Sequence, residues 1–73
     1  MVYEYYYRVA VRTDEPDEDH FVGPFADMAE CDREARGNRR AGNYRGMIAV
    51  VAGAGKGMSF PELLSNPDLA RAM

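Results

Sequence analysis

Tyr3-Glu4-Tyr5-Tyr6-Tyr7-Arg8-Val9-Ala10-Val11-Arg12-Thr13 alternates in character along its length. Its odd positions are Tyr, Tyr, Tyr, Val, Val and Thr, and its even positions are Glu, Tyr, Arg, Ala and Arg. Successive side chains of a β-strand point to opposite faces, so a two-residue period predicts a strand over 2–13 with one buried and one wet face. The buried rungs are Tyr3, Tyr5, Tyr7, Val9 and Val11. The wet face carries Tyr6 between Glu4 and Arg8, with Arg12 beyond. A ring beside a guanidinium on an open sheet is a binding platform.

Outward from this ladder, 14–19 holds five acids and one proline. Proline and crowded like charges stop a strand, so the segment reads as a hairpin tip leading to a short second strand over His20 to Phe25. Asp27 opens a helix from about Met28 to Ala41. It stands three residues before Glu30, the spacing of a capping box. Met28, Cys31, Ala35 and Asn38 form the inner face at helical spacing. Acids come early and arginines late, which suits the helix dipole. Gly37 is an alternative end, since glycine weakens a helix, and Gly42 is the other candidate cap.

Tyr44 to Ala52 is the third strand, and its core, Met47-Ile48-Ala49-Val50-Val51, is apolar on both parities, as for a strand covered on two sides. Gly53-Ala54-Gly55-Lys56-Gly57 is a flexible loop. Ser59 caps a short last helix that runs to about Leu64, with Pro61 in its first turn. Residues 68–73 add one further turn or fray. The expected fold is therefore a single α+β domain over 1–73 in the order ββαβα. A mostly antiparallel three-stranded sheet (order 2-1-3) carries one main helix on one face and a short C-terminal helix, with a right-handed crossover joining strands 2 and 3.

Composition bounds the function. A 47% apolar share fits a folded chain. A net charge of −3 argues against a dedicated nucleic-acid binder. Cys31 is the one cysteine, which excludes an internal disulfide. The start Met-Val-Tyr-Glu has no basic region followed by an apolar run, and 47–54 is too short to span a bilayer, so the expectation is a cytoplasmic protein with no membrane partner.

Chemical motifs are incomplete. The phosphate-loop pattern around Gly55-Lys56 needs glycine at position 50 and a hydroxyl at 57, where this chain has Val50 and Gly57. The acidic tip lacks the central glycine and spacing of a calcium loop. His20 and Cys31 fall short of the three or four ligands zinc requires. No nucleophile has a visible partner, so we expect neither catalytic residues, nor metal, nor cofactor. Five of the nine basic residues, Arg33, Arg36, Arg39, Arg40 and Arg45, lie within one short stretch. Tyrosine and arginine are the residues enriched at protein–protein hot spots.

Phe21-Val22-Gly23-Pro24-Phe25-Ala26-Asp27-Met28-Ala29-Glu30 resembles the strand-to-helix junction of small α/β modules. Over 21–36 it looks like half of the peptidoglycan-binding SPOR domain, in which Gly-x-Phe after a strand leads into a helix. The second half of that domain has no counterpart here, so glycan binding is not carried over. In size, in its Arg/Asp/Ala/Gly-rich composition and in its lack of catalytic motifs, the chain resembles small accessory proteins of bacteriophages and mobile elements, anti-CRISPR inhibitors among them.

These observations lead to the expectation of a non-enzymatic protein-binding module that occludes a larger host or defence protein stoichiometrically. Its contact residues are expected to be Tyr6, Arg8, Arg12, Arg36, Arg39, Arg40 and Arg45. Direct nucleic-acid binding through the same arginines and exposed tyrosines is the rival expectation. A homodimer or virion component is the third.

Overall fold

In the computed structural model, which describes every residue except Met1, Thr13, Pro16, Asp17 and Met73, the aromatic ladder is strand β1 (Tyr3–Val9). It lies inside a sheet of four strands with β2 (His20–Phe25), β3 (Tyr44–Val51) and β4 (Ala70–Ala72), in the order β2-β1-β3-β4. Every neighbouring pair is antiparallel. The α+β class and the 2-1-3 core of the sheet agree with the sequence reading. The fourth strand is a correction. Where a turn or fraying was expected, Ala70–Ala72 pairs with Val50–Ile48. Three residues are too few to display a period, so the strand left no trace in the sequence.

β1 is also shorter than its alternation suggested. The Ala10 amide still donates to Asn43 O at 2.8 Å, but the paired registers of β2 and β3 reach only as far as Val9, through His20 and Tyr44. Beyond them no strand pairing is formed among the described residues. Val11, expected as a buried rung, is 52% exposed, and Thr13 lies outside the described residues.

The predicted helix forms as two pieces, α1 (Met28–Glu34) and α2 (Arg36–Ala41), with Ala35 between them. Helical bonding carries across the joint: the Ala35 amide donates to Cys31 O and the Arg39 amide to Ala35 O, both at 3.0 Å. The helical phase is therefore kept from one piece to the next. Asp27 caps the start as expected, its Oδ1 accepting from the Glu30 amide at 2.8 Å. Gly42 closes the end at φ +83°, a conformation that favours glycine. α3 (Phe60–Leu64) begins with a full capping box between Ser59 and Glu62.

Two apolar clusters sandwich the sheet. On the odd face of β1, Tyr7 packs with Cys31, Ala35 and Met47 beneath α1 and α2. Asn38 is half-buried there, its Nδ2 donating to the Tyr7 hydroxyl at 3.1 Å. Met28, expected on this inner face, is 45% exposed, so the buried stripe begins one turn later at Cys31. On the even face, Ile48, Val50 and Leu63 form a second cluster that Tyr6, Phe21, Ala54 and Met58 extend. β3 is apolar on both parities because both of its faces are covered.

Candidate functional site

The second cluster overturns the expected open platform. Each polar rung on the even face of β1 is used by the chain itself. Glu4 Oε1 accepts from the Gly53 amide at 2.7 Å, which draws the glycine-rich loop over the sheet. Tyr6 is half-buried between that loop and β2, with its ring 5.7 Å from the Phe21 ring. The packing is close on both sides. A Cβ at Gly23 would stand 2.6 Å from Tyr6 Cδ2, and one at Gly55 would stand 3.0 Å from the Tyr6 hydroxyl. Burial, with Glu4 nearby, pushes the Tyr6 phenol above its ordinary pKa. The bare ring expected at Tyr6 is therefore absent: the chain folds its own second layer across it.

Arg8 is tied down as well. The Asp19 side chain has no solvent exposure, and its Oδ2 lies 3.4 Å from Arg8 Nη2 and 3.1 Å from Arg45 Nε. A register shift brings these two arginines together. Tyr7 pairs with Met47 but Val9 pairs with Tyr44, so Arg45 and Gly46 together oppose the single Arg8. Such a β-bulge re-aims a side chain. Strict alternation from Met47 would have sent Arg45 to the helix-covered face.

The other expected contact residues separate into two groups. Arg12 sits 3.6 Å from Asp14 with both side chains mostly in water, an arrangement that contributes little. Arg39 is paired to Asp32 and lies over the Tyr44 ring, 4.8 Å from its centroid. Arg36 and Arg40 are exposed, and so is Arg33. Among the described residues, no side-chain hydrogen bond or ion pair engages these three. Spaced by three and four, they fall on the side of α1–α2 opposite Cys31, Ala35 and Asn38. The result is a cationic stripe about 10 Å long by helical rise.

Arg33 belonged to the sequence-level cluster without being singled out as a contact. Its phase relative to Cys31, two positions away, carried the signal. Conversely, Tyr6, Arg8 and Arg45 looked free because neither the bulge nor the covering loop is visible in local periodicity.

Among the described residues there is no group of three or more His, Cys, Asp or Glu side chains placed to share an ion. Cys31 is fully buried, and burial pushes its thiol above the ordinary value. No described helix is long and apolar enough to cross a membrane. Comparison with protein-family models, with curated proteins and with solved structures finds no match for the chain.

Proposed function

We propose that the chain is a non-catalytic protein-binding module whose docking surface is the outer face of α1–α2, and that it acts by covering an acidic patch on a larger protein. The observation that supports this reading is the partition of the arginines. Arg8, Arg12, Arg39 and Arg45 each lie within 4 Å of a carboxylate of their own chain, whereas among the described residues Arg33, Arg36 and Arg40, like the separate Arg71 on β4, are exposed without an ion pair, and only the first three lie together on one helix face. Like charges one turn apart on a helix destabilise it by about 0.2–0.5 kcal/mol per pair. Carboxylates of a partner turn that repulsion into attraction and steer the encounter. Nucleic acid fits less well. Tyr6 and Tyr44 are half-buried and engaged within the fold, so the stacking platform that single-strand binding needs is not on offer.

The test is affinity capture with the native chain and with R33E/R36E/R40E, after circular dichroism has shown that both fold. The captured protein is then purified and titrated against each. The reading expects binding near one to one by the native chain and a loss of about 100-fold or more for the reversal. Equal binding by both overturns it. A low-salt gel shift with single- and double-stranded nucleic acid, abolished by the same reversal, replaces it with the nucleic-acid reading.

A further inference from the structure

Gly37 stands on α2 among these arginines, and nothing in the fold asks for a glycine there. It is not among the glycines with positive φ, and a Cβ built on it meets no atom within 4 Å. Gly23 and Gly55, by contrast, are held against the Tyr6 ring by close approach. Glycine is the poorest helix residue short of proline, and it also gains entropy in the unfolded chain. The helix thus carries a stability loss that its own packing does not require. The position is telling. Gly37 lies one turn after Arg33, one turn before Arg40 and beside Arg36, so a strip of bare backbone interrupts the cationic stripe.

Resting on the docking reading above, we infer that Gly37 is the crossing point at which an acidic α-helix of the partner packs against α1–α2 at close range, with its carboxylates set between Arg33, Arg36 and Arg40. The distance between packed helices is set by the side chains at the contact, and glycine permits the short end of that range. Carboxylates repeated one turn apart on a helix match arginines repeated one turn apart. A duplex matches poorly. Its charges continue every ~1.7 Å along the axis, a spacing that arginines one helical turn apart do not follow.

The probe is a fluorescent, alanine-based helical peptide with glutamates at one-turn spacing, titrated by anisotropy at low salt alongside a mixed-sequence DNA duplex. Gly37→Ala is expected to raise the melting temperature by about 4–8 °C and to weaken peptide binding about 10-fold. Gly37→Leu is expected to weaken it further without unfolding the chain. If both variants bind the peptide as tightly as the native chain, the close crossing is wrong, even where R33E/R36E/R40E still abolishes binding and the arginine face stands. Failure of the native chain to bind the peptide, or tighter binding of the duplex through the same arginines, overturns the acidic helix as occupant.

Discussion

Asp19 is the one buried charged or polar residue among those described, and it sits between two guanidiniums. A buried carboxylate is tolerated when opposite charges and hydrogen bonds compensate its lost hydration. In return it fastens the end of the hairpin tip to β1 and β3. Neutralising it removes the negative charge that the Arg8 and Arg45 guanidiniums share. Asp19→Asn is therefore expected to cost about 2 kcal/mol in urea unfolding, whereas Asp14→Asn, on an exposed pair, is expected to cost less than about 0.5 kcal/mol. Gly23 makes the complementary case from packing. A methyl group there meets Tyr6 Cδ2 at 2.6 Å and Tyr5 O at 2.8 Å. Gly23→Ala should lose about 1–3 kcal/mol, the usual range for overpacking. An unchanged melting temperature would show that β2 yields freely at Gly23.

At the scale of elements, the loop and α3 decide what the sheet presents. The five residues of α3 bury Leu63 completely against Ile48 and Val50 and leave Leu64 41% exposed. Leu63→Ala is expected to destabilise by about 2–5 kcal/mol, which is a large part of the few kcal/mol that a chain this small commands. Leu64→Ala should stay within about 0.5 kcal/mol; matching losses at the two positions would contradict the second core. Much of this element layer was legible in the sequence. β2 and the span of α3 fall where punctuation by Gly, Pro and capping residues put them, and β3 ends one residue early. Those signals are local, carried by a cap, a breaker or a short period. The bulge at Arg45 and Gly46, the bond from the Gly53 amide to Glu4 and the three-residue β4 depend on contacts between distant segments, which periodicity cannot report. Tyr6 was misread for that reason: its parity was right, but the face it occupies is not open.

At the scale of the molecule, the sheet is a shared wall between two small cores, and both of its faces are occupied. An open sheet face would have been the natural docking surface of a module this size. With it closed, the outer side of α1–α2 is where three exposed arginines lie together with no ion pair among the described residues. Two of the three arginines in the proposed stripe were among the seven contact residues expected from the sequence. Arg36 and Arg40 follow from the helical phase of the arginine cluster, while Arg8 and Arg45 turn onto buried Asp19, and Arg39 onto Asp32 and the Tyr44 ring, by contacts that form only in the folded chain.

The sharpest measurement is a pair of calorimetric titrations of the native chain and of R33E/R36E/R40E against the captured partner, with both folds verified. The account predicts a near one-to-one complex for the native chain and a loss of about 100-fold or more for the reversal. Indistinguishable isotherms would contradict it.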